Sequence, residues 1–108
     1  MTKQEQRKIK AGLIELGFWG ADEPGDPTVD VYDAAKLHVR LQTKLADGVF
    51  LISTAAPAHS AVREVTIFHP GKIYKLVTAL DYIEAICLAA LALPEFLRRH
   101  PECAADQK

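Results

Sequence analysis

The sequence predicts a two-layer α+β domain: an N-terminal helix, a three- to four-stranded antiparallel sheet, and a C-terminal apolar helix followed by a short terminal helix. Three observations lead there. A capped amphipathic segment opens the chain. The middle alternates apolar and polar residues or is rich in β-branched ones, with turn residues between the runs. A nine-residue apolar run, Ala85 to Leu93, follows. Helix, consecutive strands, helix is the order of an antiparallel sheet covered by helices.

The first helix has a defined start and stop. Thr2 and Glu5 stand at the capping-box spacing, and Ile9, Leu13 and Leu16 recur at i, i+4 and i+7, with Ile14 beside them. Gly17 is suited to a left-handed stop, with Phe18 placed for the closing hydrophobic contact. Gly12, inside this helix, costs about 1 kcal/mol relative to Ala and suits close packing. Residues 20–30 hold two prolines and two glycines, which forbid a continuous helix or a central strand, so they form an acidic connecting loop.

Leu37, Val39, Leu41 and Leu45 alternate with His38, Arg40, Gln42 and Lys44. That period of two predicts a strand over 37–45 with one buried and one wet face. Ala46-Asp47-Gly48 then reads as a hairpin turn into a return strand, Val49 to Thr54. Two registers remain open there. A two-residue loop puts Phe50 and Ile52 on the core face, and a three-residue loop puts Val49 and Leu51 there. Ala55 to Ala61 reads as a loop and Val62 to Phe68 as a third strand. His69-Pro70-Gly71-Lys72 has the residues of a type II turn, and Ile73 to Val77 reads as a fourth strand or a lead into the next helix. Thr78-Ala-Leu-Asp81 repeats the capping pattern and starts the main helix, 79–93. Pro94 opens a short second helix, 95–100, and Pro101 ends it. The domain is expected over residues 1–101, with 102–108 a flexible tail.

Composition limits the function classes. The chain has 108 residues, 25% charged and 49% hydrophobic, with a formal net charge of −1. Those values suit one globular domain and exclude a whole-surface polycation or polyanion. Two cysteines make no disulfide framework. The polar N-terminus offers no secretory h-region, and the longest apolar run is far short of the roughly 20 residues that span a bilayer. The expectation is a cytoplasmic protein without a membrane segment, with Cys87 and Cys103 as thiols.

Five features bear on function. The helix 79–93 is apolar in every direction beyond Asp81 and Glu84, whereas a helix on one sheet face keeps a polar stripe. This makes Ile86, Leu88, Leu91 and Leu93 candidates for a self-association or partner surface; the competing reading covers them internally. Trp19 is a candidate anchor for a protein partner, against folding back onto the core. His38, Arg40 and Lys44, with Lys72 and Lys75, form a candidate phosphate-binding face on the sheet; a solvated face or a lysine-protected edge competes. His100-Pro-Glu-Cys103 offers half a zinc site, and His38, His59 and His69 are each isolated, so no metal is expected. His59-Ser60 lies in a loop without a catalytic motif, and no catalytic residue or cofactor is assigned.

The helix–three-strand–helix order resembles that of double-stranded-RNA-binding domains. Those domains use a longer loop between the first two strands and a lysine-rich start to the last helix. Ala46-Asp47-Gly48 and Thr78-Ala-Leu-Asp81 are short and acidic instead, so the resemblance is one of element order and no family is assigned.

The reading is a small non-enzymatic protein-interaction or regulatory module, a homodimer or the partner of another protein. Nucleic-acid binding is the alternative, and a small enzyme or ligand carrier with a pocket between helix and sheet the third class.

Overall fold

A computed structural model describes residues 1–55 and 62–105. The elements run α1 (Lys3–Glu15), α2 (Val31–Gln42), β1 (Phe50–Ala55), β2 (Arg63–His69), β3 (Lys72–Ala79), α3 (Tyr82–Arg99) and a 3-10 turn, Pro101–Cys103. The three strands form one antiparallel sheet in the order β1-β2-β3. α3 touches all three strands and also α1 and α2. The α+β architecture with terminal helices and an antiparallel sheet is as the sequence predicts.

Local signals fix the ends of α1. The Thr2 side chain accepts from the Glu5 backbone N–H while the Glu5 side chain accepts from Thr2 N–H. At the other end Gly17 has φ +81, its N–H bonds Ile14 O, and Phe18 N–H reaches back to Leu13 O. This is the two-bond Schellman closure, and Phe18 is buried. Gly12 faces α3 so closely that a Cβ would stand 2.9 Å from Leu91 Cδ2.

The segment 37–45 corrects the sequence reading: residues 31–42 are a helix, not a strand. Asp30 caps it, its carboxylate accepting from Tyr32 and Asp33 N–H. Ala34, Leu37 and Leu41 are its buried stripe. Leu37 and Leu41 lie four residues apart, a spacing that satisfies both a period of two and a helical face. Ala34 and the Asp30 cap favour the helix, and Val39, core-facing in a strand, is 66% exposed. Asp47-Gly48 therefore joins a helix to a strand. Gly48 has φ +82, and Val49 and Leu51 are buried, the register a three-residue loop implied.

Downstream, Gly71 has φ +85, as the third position of a type II turn requires, and residues 72–79 form the third observed strand. The pairing shifts between Val65 and Thr66, leaving Leu76 as a bulge in β3. The loop expected at 55–61, with His59 and Ser60, lies outside the described residues except for Ala55, which ends β1.

Two further expectations change at the C-terminal end. α3 starts at the Asp81 cap, which accepts from Glu84 N–H, and it runs unbroken through Pro94 to Arg99. Proline removes one backbone donor. Here the turn beyond it is held by Phe96, which packs edge-on to Tyr74 at 5.3 Å and against His100 at 4.6 Å. Of the tail expected from residue 102, residues 102–105 pack back on the domain. Cys103 is buried, Ala46 N–H bonds Cys103 O, Ala105 N–H bonds Lys44 O, and Leu45 bridges Ala104. Main-chain bonds to the end of α2 hold this segment, and composition gives no sign of them. Residues 106–108 lie outside the described residues.

Candidate interaction surface

The sequence-predicted interface residues go inward. Ile86 and Leu93 have no exposed surface, Trp19 is 2% exposed, and Leu88 and Leu91 are half-buried against the core. The sheet covers one side of α3, and α1 and α2 cover the other. An all-round apolar helix is what that central position requires.

Trp19 has a different role. It lies under the Arg40 guanidinium, 4.7 Å from the ring centroid, with Lys36 Nζ at 5.8 Å. Arg40 Nη1 donates to Phe18 O at 2.9 Å and to Glu23 Oε1 at 2.8 Å, and Nη2 donates to Glu23 Oε2. The paired guanidinium first, and a bond from Gly20 N–H second, hold the Glu23 carboxyl down at about 2. The indole N–H finds no acceptor among the described residues.

The basic set proposed for nucleic acid is dispersed over three places. Arg40 is committed to Glu23, and Lys44 follows α2. Lys72 and Lys75 are on β3, with Lys75 Nζ 3.1 Å from Glu64 Oε1. His38 turns to the edge of β1. Its Nε2 lies 2.9 Å from Leu51 O, so Nε2 carries the hydrogen, and Nδ1, 3.2 Å from Tyr82 Oη, accepts from that hydroxyl. The wet sheet face expected to carry His38, Arg40 and Lys44 does not exist, because those residues belong to the helix and its exit.

Gln42 completes the guard on β1. Its Nε2 donates to Val49 O at 2.8 Å and its Oε1 accepts from Leu51 N–H at 2.9 Å, in place of a neighbouring strand. Unpaired sheet edges are templates for association. Gln42→Ala leaves two part-buried backbone groups unsatisfied and is expected to cost about 1–3 kcal/mol. Denaturant titration measures that loss, and turbidity at high concentration should show new strand-edge aggregation.

Among the described residues, the outer face of the sheet carries a large exposed apolar surface. Phe50, Phe68 and Ile73 are direct cross-strand partners, forming an apolar row across all three strands, with exposures of 51%, 40% and 69%. Ile52, Thr66 and Lys75 form the next row, and Ile52 is also exposed. The opposite face, with Leu51, Val65 and Ile67, is buried under the helices. No motif announced this surface. The signal available was the pairing of Phe50 with Phe68, which needs a β1 register that the sequence left open. A second exposed apolar stripe, Tyr32 and Val39, runs along α2.

The cysteines are poor nucleophiles. Burial, then the Asp26, Asp81 and Glu84 charges, push the Cys87 thiol up to about 12, and it donates to Pro27 O. Burial also raises Cys103. A cleft of about 520 Å³ opens between Phe18, Lys44, Leu93 and Leu97, away from the sheet. Among the described residues, no three His, Cys, Asp or Glu side chains converge as metal ligands, and no helix is long and apolar enough to cross a membrane. Comparison with protein-family models, with curated proteins and with solved structures finds no match, so this surface is read on its own chemistry.

Proposed function

We propose that this chain is a non-enzymatic protein-interaction module that binds through the outer face of its sheet. The cross-strand row Phe50–Phe68–Ile73 carries the reading. Outer sheet faces in two-layer domains normally alternate to polar residues, and contiguous exposed apolar surface marks protein contact sites. The face also suits protein better than nucleic acid. Lys75 is paired with Glu64 on the same face, so that pair leaves little net attraction for phosphate. The reducing cytoplasm suits two buried free thiols.

A photo-crosslinking phenylalanine analogue at position 73, expressed in the native host, tests the site against the same group at exposed Glu15 on α1. The expected result is a discrete protein adduct from position 73 and none from position 15. Equal labelling from both positions, or no adduct from 73, overturns the reading. A nuclease-sensitive adduct overturns it in favour of nucleic acid.

A further inference from the structure

We infer that the cleft between the exit of α2 and the C-terminal half of α3 binds a small amphipathic carboxylate, an apolar chain or ring carrying one anionic head. The site lies away from the outer face of the sheet. The inference goes beyond the interaction reading above and stands or falls separately from it.

The size and the walls suit an apolar body. The cleft holds about 520 Å³, within the roughly 300–1,000 Å³ of small-molecule sites. It lies over the core side chains Phe18 and Leu93, beside Pro94 and Leu97. Ligand pockets combine such apolar walls with a few polar groups that set the orientation.

The charge at the cleft selects the head. Among the described residues that line it, Lys44 and Arg98 are cations and none is acidic. Arg98 gives Nε and Nη2 to Glu95, which leaves its Nη1. Glu95 is shared with Arg99, so one carboxylate stands against two guanidiniums. Lys44 Nζ meets no carboxylate among the described residues. Nζ of Lys44 and Nη1 of Arg98 thus supply two donor groups, matched to the two oxygens of a carboxylate. A second cleft, of about 580 Å³, shares Ala104 and Ala105 as a wall but carries Asp47 and Glu102. An anionic head is drawn to the first cleft and repelled from the second.

The walls are in place before a ligand arrives. Ala105 N–H bonds Lys44 O, and Ala46 N–H bonds Cys103 O, which pins the C-terminal wall to the exit of α2. Arg40 Nη1 holds the Phe18 carbonyl on the other side. Fixed walls reduce the ordering cost of binding.

Titration of octanoate into the isotope-labelled full chain at neutral pH, followed by NMR, tests this. Saturable shifts should centre on residues 43, 44, 97, 98 and 105, with a dissociation constant on the order of 1 mM, a modest efficiency for a ligand of about ten non-hydrogen atoms. 1-Octanol carries the same chain without the charge and should bind about fivefold or more weakly. Lys44→Gln and Arg98→Gln replace exposed side chains and should stay folded by circular dichroism. Each should weaken octanoate about three- to tenfold and leave 1-octanol unchanged. Octanoate affinity should also fall as salt is raised. The absence of saturable shifts overturns the inference, and so do shifts centred on residues 50, 68 and 73 of the sheet. Equal affinity for octanol and octanoate, or octanoate binding unchanged in the double Lys44→Gln, Arg98→Gln variant, overturns it as well.

Discussion

Ile86→Asp is expected to abolish folding, and Ile86→Ala to leave a folded protein destabilised by about 2–5 kcal/mol. Ile86 has no exposed surface, and on α3 Ala85, Cys87, Ala89, Ala90 and Leu93 share that burial. The sheet lies on one side and α1 and α2 on the other, so no solvent-facing direction is available to a carboxylate. A typical domain has about 5–15 kcal/mol of stability, enough to survive the alanine cavity. It does not survive an unpaired buried charge added to lost packing. For a domain of this size the alanine loss corresponds to a fall of about 10 °C or more in melting temperature. Circular dichroism with urea titration checks both variants. A folded Ile86→Asp protein with altered mass would instead place α3 on the surface and overturn the arrangement described here.

The second large effect concerns Arg40, whose removal should lower the melting temperature by several degrees at pH 7 and much less in acid. Arg40 ties α2 to one stretch some twenty residues earlier, residues 18–23, through the Phe18 carbonyl, the Glu23 carboxylate and the Trp19 ring. Charge-assisted bidentate bonds of this kind are among the stronger polar contacts. The pH dependence follows from Glu23. Its folded-state pKa is about 2 against an ordinary 4.5, with the Arg40 bond the largest cause. The unfolded chain therefore binds a proton more readily than the folded one. The contribution is complete above about pH 4.5 and is lost as pH falls through about 2. The melting-temperature gap between the parent protein and Arg40→Ala should be widest near neutrality and close progressively in that acid window. Glu23→Gln should abolish most of the pH dependence. A gap that stays constant from pH 7 to pH 2 would show that Arg40 acts through packing on Trp19 alone.

The two outcomes also separate structural basic residues from binding ones. Arg40 and His38 were candidates for phosphate contact on the strength of an alternating pattern. The fold uses both for internal bonds, one across the acidic loop and one on the edge of β1. A titratable or basic residue in a strand-like pattern carries no information about its partners until the element type is known. The acidic loop, read as a solvated connector, supplies the Glu23 that locks Arg40. The loop's own turn is equally specific: Gly25 has φ +95, and a Cβ there would meet the Asp33 carboxylate, which accepts from Asp26 N–H.

Local signals settled what depends on neighbouring residues. The Thr2–Glu5 capping box, the Gly17 stop and the Pro70-Gly71 turn each act within a few residues, and the β-branched content of 62–68 marks a strand whatever surrounds it. Tertiary packing decided the rest. Residues four apart fit both a strand face and a helix face, so Leu37 and Leu41 could not fix the element by themselves, and burial against α3 did. Pro94 breaks a helix only where nothing holds the turn beyond it, and here Phe96 packs on Tyr74. The apolar surface was visible as composition in Ile86, Leu91 and Leu93, but exposure is a relation between elements. Only the stacking of α3 between the sheet and the other helices buries Ile86 and Leu93, half-buries Leu91, and leaves Phe50, Phe68 and Ile73 facing outward.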